Sequence, residues 1–109
     1  MRRASVNPGP VAIFAALGEP TRLHLFNRLS DGAARSITSL SADTRLTRQA
    51  VTKHLRVLQN AGLVNCDRIG RESRFSLRPE PIDELRGYLE RISAQWEDAL
   101  GRLKRHVED

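Results

Sequence analysis

The sequence predicts a mainly α-helical domain with one β-hairpin: a winged helix-turn-helix that dimerises through its terminal helices. Three observations point there. Apolar residues recur at helical spacing through most of the 109 residues. Between Val64 and Leu77 that period gives way to alternation. A last long segment then carries an apolar seam that so small a body cannot cover alone.

The bulk numbers agree with one folded domain. Apolar residues are 39% of the chain and charged residues 28%, which suits a packed soluble protein rather than a disordered one. No apolar run approaches the ~20 residues that span a bilayer. The apolar patch VAIFAAL after Pro10 is short and leads into charged sequence, so it is not read as a signal peptide. The single cysteine, Cys66, excludes an internal disulfide and an all-cysteine metal site. A cytoplasmic chain is the simplest expectation. Charge is uneven. Residues 36–78 carry eight Lys/Arg against three Asp/Glu, whereas residues 79–109 carry five against eight. A basic block beside an acidic one suggests a polyanion met by one face.

Residues 1–9 read as a flexible arm, with Asn7-Pro8-Gly9-Pro10 as breakers, and residues 10–109 as the domain. Val11 to Leu17 forms a short apolar helix ending at Gly18. Glu19-Pro20-Thr21 opens a second, with proline in its first turn. Leu23, Phe26 and Leu29 form its apolar face with Leu25 beside it, and Asp31-Gly32 ends it. Ser36 caps a third, short helix containing Ile37 and Leu40. After the connection Ala42-Asp43-Thr44-Arg45, Thr47 caps a fourth helix running to about Asn60, and Gly62 supplies the left-handed residue that ends it. Val64 and Cys66, then Ser73, Phe75 and Leu77, alternate with polar residues as the strands of a hairpin spanning 64–78, with Ile69-Gly70-Arg71-Glu72 at its tip. Pro79 and Pro81 precede the last helix, about 81–107.

The fourth helix carries the chemistry. On a wheel of about 100° per residue from Arg48, Val51, Leu55 and Leu58 fall at about 300°, 340° and 280°, one apolar stripe. Arg48, Gln49, Thr52, Lys53, Arg56 and Asn60 fall between about 0° and 140°. The stripe fixes the helix to the body; the other flank presents groups suited to base edges and phosphates. Arginine and lysine pair guanine, glutamine pairs adenine, and threonine meets a phosphate or a thymine methyl. A short helix, a tight connection and a polar-flanked helix make a helix-turn-helix, whose second helix docks in the major groove of double-stranded DNA. The hairpin is its wing, with Arg68, Arg71 and Arg74 near the tip to reach the minor groove or backbone.

The last helix spaces Ile82, Leu85, Leu89, Ile92, Trp96, Leu100, Leu103 and Val107 three or four residues apart. At about 26 residues it spans roughly 40 Å. A two-fold dimer covers such a seam and presents two reading helices to a palindromic operator. Val11, Ile13, Phe14 and Leu17 of the first helix can join that interface.

These residues match a family. LGEPTRLHLFNRLSDG, LTRQAVTKHLRVLQNAGLV and RIGRESRFSL resemble the ArsR-type winged-helix regulators of bacteria, over nearly the whole chain from Val11. The resemblance implies a dimeric transcriptional regulator, usually a repressor. It also places Thr47, Arg48, Gln49, Thr52, Lys53 and His54 on the recognition-helix segment, and Arg68, Arg71 and Arg74 on the wing. Metal-sensing members carry a cysteine pair in the third helix, where this chain reads SITSLSAD, and other members spread His and carboxylate ligands along the last helix, where His106 is the lone histidine. Thiol-switch members need two cysteines. The Trp96-bearing last helix is similar to a metal-independent branch.

No metal or cofactor is therefore expected. His24, His54 and His106 lie on three different helices with no paired spacing. Cys66 reads as a small hydrophobe facing the same way as Val64, and Trp96 as a packing anchor. No phosphate loop, nucleophile elbow or convergent carboxylate pair suggests an enzyme. Two other readings stay open: a sensor of the same fold whose dimer seam holds a metal or small-molecule effector, and a protein- or RNA-binding winged helix.

Overall fold

The computed structural model describes residues 9–108. The order is α1 (Gly9–Leu17), α2 (Pro20–Arg28), β1 (Arg35–Ser36), α3 (Ile37–Ser41), α4 (Arg48–Asn60), β2 (Val64–Ile69), β3 (Glu72–Leu77) and α5 (Pro79–Glu108). The arm expected at residues 1–9 lies outside the described residues except for Gly9, which opens α1.

The helices α2, α3 and α4 each begin where a side chain satisfies a backbone N–H that the helix itself leaves unbonded. The Glu19 carboxylate accepts the Arg22 N–H at 2.9 Å, with Pro20 following as the first helical residue. Ser36 Oγ accepts the Ser39 N–H, and Thr47 Oγ1 accepts the Ala50 N–H at 3.0 Å. At the far end of α4, Gly62 adopts φ +80°. Its N–H donates to Gln59 O and that of Leu63 to Leu58 O, the paired bonds of a Schellman closure. The hairpin turn is two residues, Gly70-Arg71, between the paired Ile69 and Glu72. Gly70 alone has positive φ there (+65°), the primed turn that suits strand twist.

Two elements differ from expectation. The sheet has three strands, in the order β1-β3-β2, because Arg35 and Ser36 pair antiparallel with Phe75 and Arg74. A two-residue strand offers no alternation to detect. The last helix begins at Pro79, two residues early, since both prolines fall in a first turn whose N–H groups need no helical partner. Its 30 residues span about 45 Å, and it gives the molecule extents of 68 × 36 × 21 Å.

Phe75 is fully buried in a core it shares with Ile13, Ala16, Leu25, Leu29, Leu40, Val51, Leu55, Leu58, Leu63 and Val64. Cys66, opposite Phe75 on β2, packs half-buried against it. Leu23, expected on the inner face of α2, is exposed. That helix instead packs through Leu25 and Leu29, four residues apart on one face, and Leu23 points away. Phe75→Ala is expected to cost about 3–5 kcal/mol, a large share of the roughly 5–15 kcal/mol that holds such a domain folded. The urea midpoint measures it.

Candidate nucleic-acid interface

The α4 helix is divided lengthwise. Val51, Leu55 and Leu58 are fully buried, while Arg48, Gln49, Lys53 and Arg56 are exposed on the opposite flank. Thr52 is half-buried and donates its hydroxyl proton to Arg48 O at 2.7 Å, which leaves its lone pairs outward. Arg56 Nη1 is steadied by Gln59 Oε1 at 3.1 Å. Thr47 is exposed, but its oxygen serves the cap. His54 is not brought to this flank. It lies a half-turn away, its side chain 26% exposed, with Nδ1 3.5 Å from Glu19 Oε2 at the start of α2.

The turn before α4 is held stiffly. Thr44 Oγ1 donates to Ser41 O and accepts from the Leu46 N–H. Asp43 meets Arg28 Nη1 at 2.6 Å and His24 Nε2 at 3.4 Å, tying the turn to α2. Burial pushes the Asp43 carboxyl up, but the charge and hydrogen bond of Arg28 outweigh it and hold the group below its ordinary value. Glu19 is also held low, mainly by the Arg22 N–H and in smaller part by His54. Asp31 is lowered by the Ala33 N–H and then by Arg35.

On the wing, Arg68 and Arg71 are exposed and make no ion pair among the described residues. Arg74 folds back on Glu72, both Nε and Nη2 lying 3.2 Å from Oε2.

Residues 17–67 match the family model described as a helix-turn-helix domain. An uncharacterized HTH-type transcriptional regulator, YuzN of Bacillus subtilis, is 36% identical over 92 residues, 78% of this chain and 100% of that protein. The solved ArsR-like transcriptional regulator from Rhodococcus sp. RHA1 superposes with a TM-score of 0.72 at 36% identity, covering 87% of this chain and 89% of its own. The chain belongs to the ArsR-type transcriptional regulators. A further structure has the same fold at 18% identity, with a TM-score of 0.62 and 82% of each chain covered. It is the homodimeric winged helix-turn-helix DNA-binding domain of a possible ArsR-family regulator from Mycobacterium bovis.

In this ArsR-type chain α2, α3 and α4 lie within the matched helix-turn-helix domain. Arg45, on the turn just ahead of α4, is also exposed and without an ion pair among the described residues. The wheel could not assign it because it precedes the helix. Tyr88 was also missed. Its ring meets Phe14 edge-on, centroids 6.1 Å apart at 64°, and joins α1 to α5. Spacing would have found it, three residues after Leu85. Beyond that contact, Val11, Phe14, Leu89, Ile92, Trp96 (65% exposed), Leu100 and Leu103 leave an uncovered apolar face, with Leu85 half-buried at its edge. Among the described residues no cluster of three or more His, Cys, Asp or Glu is placed to hold a metal, and no helix is long and apolar enough to cross a membrane.

The three lowered carboxyls set the acid response. Each contributes stability that is fully present above its unfolded value and is lost as pH falls through its lower folded value. The melting temperature should therefore hold between about pH 7 and 5 and fall below about pH 4. Asp43→Asn should flatten part of that acid decline in a thermal melt series.

Proposed function

We propose that this ArsR-type regulator is a homodimeric, sequence-specific repressor that binds a palindromic operator in the cytoplasm. The exposure of Arg48, Gln49 and Lys53 opposite the fully buried Val51, Leu55 and Leu58 carries the reading. The outward flank of α4 enters the major groove, where Gln49, Lys53 and Arg48 meet base edges and Thr52 and Arg56 flank them. Arg48 and Gln49 also bring the first N–H groups of α4 towards phosphate. Arg68 and Arg71, with Arg74 behind them, contact the adjacent backbone or minor groove. Thr47 acts through its cap, and His54 through its contact with Glu19.

The dimer forms through Val11 and Phe14 of α1 and Leu85, Leu89, Ile92, Trp96, Leu100 and Leu103 of α5. Their exposure supports this, since contiguous apolar surface on this scale marks an interface. So does the homodimeric Mycobacterium bovis relative. A groove of about 390 Å³ runs along α5 between Ile82, Leu85, Leu89 and Ser93. In the dimer this groove is covered by the partner.

Selection of bound fragments from random DNA should yield an inverted repeat. Fragments without sequence preference at physiological salt would favour a protein- or RNA-binding winged helix instead. Gln49→Ala and Lys53→Ala should each lose about 1–3 kcal/mol of base discrimination in gel shifts while fold and dimer persist. Arg71→Ala should weaken binding evenly across sequences and reduce the salt slope by about 0.9. Leu89→Glu should convert the dimer to monomer in sedimentation; an intact dimer would place the interface elsewhere.

A further inference from the structure

Arg78 belongs to the central basic block by sequence but not by position. Its side chain is 19% exposed, against 43% for Arg74. It lies where the chain, returning from the wing, passes the end of α4 and enters α5. The Arg78 N–H donates to Leu63 O at 3.0 Å, and its Nη1 donates to Gly62 O at 3.1 Å. Gly62 and Leu63 are the two residues whose N–H groups close α4. Each therefore has its N–H committed to α4 and its carbonyl to Arg78. On the other side, Arg78 Nε faces the Glu80 carboxylate in the first turn of α5 at 3.8 Å. Elsewhere α5 meets the body chiefly through α1, which shares its uncovered apolar face.

We propose that Arg78 is a positioning residue. Bridging the Gly62 carbonyl at the end of α4 and the first turn of α5, its guanidinium sets the angle between reading helix and dimer helix, and so selects the half-site spacing the dimer accepts. The proposal rests on the dimeric reading above. An ionised donor makes a stronger bond than a neutral one, and the rigid fork of arginine holds two partners where lysine is a single point charge. A small change of that angle displaces the two α4 helices in opposite senses about the two-fold axis. The operator resolves such a displacement, since one added base pair moves a half-site by about 3.4 Å and turns it by about 34°.

The experiment titrates wild type, Arg78→Ala and Arg78→Lys against the selected operator and against operators with one base pair added or removed at its centre. Dimer mass and thermal melting are followed in parallel. Wild type should prefer its own spacing by about tenfold or more. Arg78→Ala should narrow that preference to about twofold with the dimer intact, and Arg78→Lys should fall between. If Arg78→Ala does not fold, Arg78→Lys decides: a narrowed preference supports the assignment and an unchanged one overturns it. A common loss of affinity at every spacing overturns it in favour of general structural support. An unchanged preference with a lower salt slope overturns it in favour of a phosphate contact. Wild type indifferent to spacing removes the dimeric reading, and Arg78's role with it, before any variant is compared.

Discussion

One edge of α4, pressed into the core, governs the rest of the molecule. Val51, Leu55 and Leu58 pack with Phe75 of the wing, Leu40 of the preceding helix and Leu25 and Leu29 of α2 in one core cluster. Each buried side chain of this size contributes about 1.5–3 kcal/mol, far more than any exposed ion pair nearby. The rotation of α4 about its own axis is therefore decided by apolar contact. The direction in which Arg48, Gln49 and Lys53 point follows from it, without any interaction of their own to hold them. The cap at Thr47 and the closure at Gly62 satisfy the helix ends, so this edge can pack without unsatisfied backbone groups.

Charge is sorted by the same packing. Cations that meet a carboxylate or carbonyl of the fold become fastenings: Arg28 on Asp43, Arg35 on Asp31, Arg22 on Ala16 O, Arg78 on Gly62 O. Between residues 36 and 78, those left outward lie on α4, the turn ahead of it and the wing; Arg91, Arg102 and Arg105 on α5 also face solvent. A count of basic residues between 36 and 78 cannot make this division, because it depends on neighbours distant in sequence.

Period and capping chemistry were enough to read most of the architecture from residues alone. All five helices, both long strands, the Thr47 cap, the Gly62 closure and the Gly70 turn follow from local rules that tertiary contacts reinforce. What escaped was set by long-range contact. The strand Arg35–Ser36 exists because β3 has a free edge. Leu23 and Leu25 exchange roles because α2 is rotated by its neighbours. On the candidate site, the wheel placed Arg48, Gln49, Lys53 and Arg56 on the outer flank, where they lie. His54 rested on the resemblance alone, and its turn towards Glu19 depended on where α2 begins. Tyr88 needed the approach of α1 to show its part.

Glu19 has a further consequence. A helix start usually attracts anions, because its unbonded N–H groups and dipole favour negative charge. The start of α2 already holds a carboxylate, and Pro20 contributes no N–H. A nucleic-acid strand passing there would meet like charge rather than an amide cradle.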